Sequence, residues 1–161
     1  MFRFQYTVVT KAPRKTAWEV FSNHRLWNSF ANIYGEIDWR EGRPWQAGSR
    51  MEIEILRPFR AVIDHVLTSC TPGQRVGWID HAMGAAMAQW VHFEEHISGG
   101  TRIHTWGDLV HSGLVIAGKS AEQLIGSFVE TWYENYRAYC DRLALGTLFP
   151  GAALQGFPEN L

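Results

Sequence analysis

The chain has 161 residues, a formal net charge of −1 at pH 7 and 46% hydrophobic residues. That is one domain's worth of chain, too apolar for a disordered one and without the roughly 20-residue apolar run of a membrane span. The charge argues against nucleic acid or an anionic membrane surface as partner, since both reward a concentrated positive field. What stands out is aromatic: eight Trp, nine Phe, five Tyr and seven His against 19% charged residues.

Met1-Phe2-Arg3-Phe4-Gln5 lacks the basic stretch and apolar core of a secretory signal, so a cytoplasmic location is expected by default. From Phe2 to Thr10 apolar residues alternate with polar ones, the period-two pattern of a strand with one buried face. Ala12-Pro13 ends it, because proline cannot donate to a ladder. Thr16–Phe21 reads as a short helix beginning near Pro13, and His24 through Asn32, carrying Leu26, Trp27 and Phe30, as a second.

Strands then follow over Tyr34 to Arg40, Arg50 to Leu56, Arg60 to Cys70, Val76 to His81, Ala86 to Ile97 and Thr101 to His111. Glu41-Gly42-Arg43-Pro44, Pro72-Gly73-Gln74 and Ser98-Gly99-Gly100 supply turn chemistry between them, with Arg57-Pro58-Phe59 and Met83-Gly84-Ala85 as weaker turns. Short links imply an antiparallel meander. Cys70 and Cys140 form no CxxC or metal-ligand spacing, and reduced thiols are expected. Ser120 with Gln123 is a capping-box pattern. After it Leu124, Phe128, Trp132, Tyr139 and Leu143 recur at three-to-four spacing, a helix of roughly 24 residues and about 36 Å. Gly146 ends that helix, dividing the chain into a domain over 1–145 and a Gly/Pro-punctuated tail over 146–161.

Turn positions give a trial register. A turn at Ser98-Gly99-Gly100 sets Glu95 opposite Ile103, Phe93 opposite Thr105 and Met87 opposite His111. A turn at Met83-Gly84-Ala85 sets Met87 opposite His81 and Gln89 opposite Ile79, and Pro72-Gly73-Gln74 sets His81 opposite His65 and Ile79 opposite Leu67. A one-residue slip would invert part of this pattern. One face then collects Met51, Ile53, Ile55, Ile63, His65, Leu67, Ile79, His81, Met87, Gln89, Val91, Phe93, Glu95, Ile103, Thr105 and Leu109. The other holds Arg50, Glu52, Glu54, Asp64, Asp80, Glu94, Arg102 and Asp108. A sheet wet on one face must be covered on the other, and the long helix is the element able to cover it. A helix about 10 Å across is narrower than such a sheet, which favours a lined cavity with a few polar groups, the usual makeup of a small-molecule site.

The order strand, two short helices, six-strand meander, long C-terminal helix resembles the START-like "helix-grip" superfamily, also called SRPBCC. Val8-Val9-Thr10-Lys11-Ala12-Pro13 followed by Ala17-Trp18-Glu19-Val20-Phe21 is similar to its strand-Ala-Pro-helix entry. Trp27, the connector Gly42 through Pro44-Trp45 and Gly48-Ser49, and Gly99-Gly100-Thr101-Arg102-Ile103 also match its pattern. The resemblance covers about residues 2 to 143. It implies an α+β fold in which a seven-stranded curved antiparallel sheet wraps round the long helix. In look the chain is nearest to small bacterial polyketide cyclase/dehydrase-type members, and no catalytic residue carries over position by position.

In the trial register His65 stands beside His81, with Met87 and His111 continuing the row. Facing positions on neighbouring strands have Cβ atoms roughly 5 Å apart. An imidazole pair in an apolar cavity can act as general acid and base; the plainer reading is that these histidines line a pocket or bond to backbone. Glu95 is the one inward carboxylate, either a buried acid or base or a strand-end group paired with Arg43 or Arg60. No three ligands converge for a metal. The candidate catalytic residues are therefore His65, His81 and Glu95. The candidate ligand-binding residues are Ile53, Leu67, Ile79, Met87, Gln89, Val91, Phe93, Thr105, His111, Phe128 and Trp132, with Tyr133 and Asn135 bordering the mouth. Together with the resemblance they suggest a cyclase, dehydratase or aromatase acting without metal or cofactor on a hydrophobic small molecule; the alternative is a non-catalytic carrier or sensor of such a molecule or lipid. Trp78, Trp90, His92, His96, His104 and Trp106 fall on the outer face, a candidate homodimer surface.

Overall fold

Alternation, turn chemistry and one long amphipathic helix build the elements in a computed structural model that describes residues 1–110, 115–116 and 118–146. They run β1 (Phe2–Thr10), α1 (Arg14–Ser22), a 3₁₀ helix (His24–Ser29), β2 (Tyr34–Glu41), β3 (Arg50–Ile55), β4 (Ala61–Thr71), β5 (Arg75–Ala82), β6 (Ala85–Glu95), β7 (Thr101–Val110), β8 (Val115–Ile116), β9 (Lys119–Ser120) and α2 (Ala121–Leu145). β1 to β7 form one antiparallel sheet in the order β1-β7-β6-β5-β4-β3-β2, and α2 covers its inner face. This is the expected α+β helix-grip architecture. The second short helix stops at Ser29, short of the expected Asn32, where φ turns positive and reverses the chain. The small β8–β9 hairpin carries no sequence pattern that announces it. The tail beyond Gly146 lies outside the described residues. No described helix is long and apolar enough to cross a membrane.

α2 begins and ends as its caps dictate. Ser120 Oγ accepts from Gln123 N at 3.2 Å while Gln123 Oε1 accepts from Ser120 N at 3.0 Å, so two otherwise unpaired donors are satisfied. At the other end Gly146 takes a left-handed conformation (φ 65°) and its N–H closes onto Arg142 and Leu143. The interior is largely aromatic. Phe21 of α1 meets Phe93 at 5.2 Å, Trp132 at 5.9 Å and Trp78 at 6.2 Å between ring centroids. The pairs with Phe93 and Trp132 are edge-on, and such pairs contribute about 0.5–1.5 kcal/mol each beyond the area they bury.

The register departs from expectation in one way that matters. β6 and β7 pair Glu95 with Thr101 and Met87 with Leu109, two residues off the trial register, which leaves every side chain on its expected face. β5 is different. Ala82 pairs directly with Ala85, so the connection is a two-residue Met83-Gly84 turn with both φ positive (52° and 76°). Such turns match the twist of their strands, and the three-residue loop assumed from the sequence does not form. On the other edge, the β4–β5 ladder shifts between Leu67 and Ser69, a β-bulge. The two irregularities together turn β5 over. Trp78, 7% exposed, and Asp80 point to the helix, while Ile79 and His81 face outward.

Polar contacts fasten α2 to β1 at one end only. Asp141 accepts from Thr10 Oγ1 at 2.6 Å, Lys11 N at 2.7 Å and Arg137 Nη1 at 2.9 Å. Two turns earlier, Glu134 accepts from Tyr6 Oη at 2.7 Å and Arg137 Nε at 2.9 Å. Burial first, then the hydrogen bond to Glu134, pushes the Tyr6 phenol up to about 12. Asp141→Ala removes three acceptor contacts at once, and urea unfolding should show a loss of about 2–3 kcal/mol. Because the Tyr6 pKa is raised, its stabilisation is complete below pH 10 and is lost as pH climbs toward 12. Tyr6→Phe should accordingly flatten the alkaline limb of a stability-versus-pH profile.

Candidate functional site

Since α2 is held to the sheet at Glu134 and Asp141, its first half stands away from β3–β6, and side chains from both surfaces enclose a cavity of about 200 Å³. Its floor is Ile53, Ile55 and Ile63 with Trp78, Met87 and Gln89; its roof is Leu124, Ile125, Phe128, Val129, Trp132 and Tyr133. Trp27, Trp45, Phe21 and Tyr34 close the inner end. Pro58, Phe59, Met83 and Ile116, from the turns after β3 and β5 and from β8, ring the other. The lining contains no lysine or arginine among the described residues.

Nearly every polar atom on these walls has a partner. Trp27 Nε1 donates to Phe21 O at 2.9 Å and Trp45 Nε1 to Ser22 O at 2.7 Å. Trp132 Nε1 donates to Tyr34 Oη at 2.8 Å, and Gln89 Nε2 to Thr105 Oγ1 at 2.8 Å and Tyr133 Oη at 3.4 Å. Burial raises the pKa of both tyrosines, so both hydroxyls keep their protons.

The exception is His65. It is 5% exposed, its Nδ1 lies 2.6 Å from Asp80 Oδ1, and its Nε2 is buried without any hydrogen-bond partner among the described residues. Asp80 Oδ2 accepts from Trp78 Nε1 at 3.0 Å, and the Trp78 ring lies 5.1 Å from the imidazole. A carboxylate only accepts, so Nδ1 is the protonated nitrogen, and in the neutral ring Nε2 is a buried acceptor on a residue that lines the cavity. An unsatisfied buried polar atom costs about 1–3 kcal/mol, and a ligand donor would recover it.

The sequence-derived candidates fall into three groups. His65, Ile53, Met87, Gln89, Phe128 and Trp132 line the cavity, as does Tyr133. Leu67, Val91, Phe93 and Thr105 are buried on the same face but belong to the packed core around it, while Asn135 turns to Phe30 O at 3.1 Å. His81 and Ile79 lie on the outer face because β5 is turned over, so no His65–His81 pair exists; the residue across from His65 is Asp80. Glu95 ends β6 with an 80% exposed side chain, 3.9 Å from Arg14 rather than near Arg43 or Arg60, and stands well away from the cavity. His111 lies outside the described residues. Among the described residues, no group of three or more His, Cys, Asp or Glu is placed to hold a metal.

Asp80 and Trp78 were missed, both through the parity of β5. The available signal was Met83-Gly84, since a residue followed by glycine between two strand patterns is the mark of a two-residue hairpin. On the outer face Trp90, His92, His104 and Trp106 do cluster. Trp106 stacks on Trp90 at 6.1 Å and on His104 at 5.3 Å and meets His92 edge-on at 4.7 Å, so the rings partly cover one another.

No family model and no curated protein sequence matches the chain. Solved structures do. A START superfamily protein from Mycobacterium smegmatis superposes with a TM-score of 0.71 at 13% identity, over 88% of this chain and 98% of that one. Ara h 8.0201 gives 0.69 at 11% identity, over 86% and 97%. DynU16, a protein in the dynemicin biosynthetic locus, gives 0.69 at 12% identity over 99% of this chain, which spans 51% of DynU16. The fold is therefore START-like.

The Asp80–His65 contact has a spectroscopic signature. In the neutral imidazole, ¹⁵N correlation spectra should place the proton of His65 on Nδ1. Asp80→Ala should return it to the Nε2–H tautomer and destabilise the chain by about 2–4 kcal/mol, since two buried N–H donors lose their acceptor.

Proposed function

We propose that this START-like chain binds a hydrophobic small molecule in the cavity beneath α2 and acts on it by acid–base chemistry, as a cyclase, dehydratase or aromatase that needs no cofactor. One observation carries the reading: in walls where other polar atoms are paired, His65 Nε2 is buried, unpartnered and backed by a carboxylate. In that arrangement Nε2 takes a proton from the bound molecule. The imidazolium that forms is stabilised by Asp80, whose second oxygen is already fixed by Trp78. The same nitrogen then returns the proton to a leaving hydroxyl, which departs as water, or to the oxygen of a newly closed ring. Aromatic walls exclude water and keep the proton on this path. A general acid–base group of this kind contributes typically 10²–10⁴-fold to rate.

The carrier reading differs in one respect, that Nε2 then serves only to anchor the ligand. Native mass spectrometry of freshly purified protein identifies any retained molecule, and turnover of that molecule separates the two. His65→Gln should lower turnover by a factor of 10²–10⁴ with affinity changed only a few-fold, and His81→Ala, on the outer face, should leave turnover intact. Unchanged turnover in His65→Gln defeats the catalytic reading, and no turnover in the wild-type chain leaves the carrier. For the outer ring cluster the corresponding partner is a second copy of the chain. Sedimentation at high concentration should then show dimers, and a monomer there removes that partner.

A further inference from the structure

The hydrogen-bond directions around the cavity define the chemistry of its occupant. Two hydroxyls and one imidazole meet the cavity, and each has its polarity imposed from behind. Trp132 Nε1 can only donate, so Tyr34 Oη is the acceptor in their 2.8 Å bond, and the proton of Tyr34 has no acceptor among the described residues. Gln89 Nε2 donates to Tyr133 Oη in the same sense. Asp80 can only accept, so His65 offers a bare Nε2. The walls therefore present one hydroxyl donor from Tyr34 and one acceptor from His65, while the Tyr133 hydroxyl is already engaged by Gln89 and Thr105. Among the described residues they carry no fixed cation, and the one carboxylate there, Asp80, is already committed to two N–H groups.

Building on the ligand-binding reading above, we propose that the cavity selects a neutral aromatic molecule bearing both a hydroxyl and a carbonyl, the hydroxyl donating to His65 Nε2 and the carbonyl accepting from the Tyr34 hydroxyl. A carboxylate ligand is rejected. It would enter an apolar space that already holds a negative charge and offers no cation, and it would place an acceptor against the acceptor Nε2. An unsubstituted hydrocarbon fits the walls but leaves Nε2 unsatisfied, a defect a site built for hydrogen bonding penalises heavily. The scale of ligand follows from the volume. An apolar cavity of about 150 Å³ takes benzene, and this one, at about 200 Å³, suits fused or linked rings.

The test is a matched set of probes on the wild-type chain, followed by calorimetry or quenching of tryptophan fluorescence. The probes are 6-hydroxy-2-acetylnaphthalene, its 6-methoxy ether, 2-acetylnaphthalene, naphthalene and 6-hydroxy-2-naphthoate. The hydroxy ketone should bind at least tenfold tighter than its methoxy ether or 2-acetylnaphthalene, and the naphthoate more weakly than either. His65→Phe should erase the preference for the free hydroxyl. Tyr34→Phe should erase the advantage of 2-acetylnaphthalene over naphthalene, with the hydroxyl preference retained. If all five bind alike, or the naphthoate binds best, the hydrogen-bond assignment is wrong while the cavity still binds ligands. If none of the five binds, naphthalene included, the ligand-binding reading itself falls. Because the five probes are compared on the unaltered chain, their ranking decides the matter even where a variant folds poorly.

Discussion

Which face β5 presents decides the chemistry of this molecule. A strand has a side-chain period of two, so one unpaired residue exchanges its inner and outer sets. Here the bulge between Leu67 and Ser69 and the two-residue Met83-Gly84 turn act on the two edges of the same strand. Between them they carry an indole and a carboxylate inward and a histidine outward. A cavity floor of Ile79 and His81 would have placed two imidazoles side by side. The observed floor of Trp78 and Asp80 leaves one imidazole with its tautomer fixed. A bulge next to a functional group is a recurrent way of re-aiming a side chain, and here it re-aims an entire strand.

A carboxylate largely withdrawn from solvent is expensive to hold, and the way Asp80 is held explains much of the local sequence. No lysine or arginine among the described residues reaches it. Two N–H groups do, from His65 across the ladder and from Trp78 two residues back on the same strand face. Trp78 therefore has a double role, as a wall of the aromatic interior beside Phe21 and as a donor to the acid. Under the proposed acid–base reading, the arrangement prepares the site for a proton. An imidazolium formed at His65 meets an opposing charge already in position, so little reorganisation accompanies its formation.

Much of this was legible in the residues. The alternation of Phe2–Thr10, the Ser120/Gln123 capping box and the left-handed Gly146 each have a local cause, and each appears where that cause places it. Face assignments on β3, on the first part of β4, on β6 and on β7 also survive, because a two-residue error in register changes neighbours but not faces. What was hidden depends on geometry that a pattern does not record. Trp78 and Asp80 sat behind a turn one residue shorter than assumed. Glu95 has the correct parity for the inner face, yet β6 ends there and the side chain reaches solvent. Tyr34 lines the cavity and accepts from Trp132, a partner remote in sequence that no local pattern announces.

The uneven fastening of α2 has a consequence for how such a chain can diversify. Glu134 and Asp141, both braced by Arg137 on the same helix, hold its second half to β1, while Leu124, Ile125 and Phe128 in the first half line the cavity with apolar side chains. Cohesion and selectivity thus occupy different turns of one element. Substitutions that reshape the roof draw little on the contacts that keep the sheet closed, and under the proposed ligand-binding reading the first half can drift toward new ligands while the second preserves the fold.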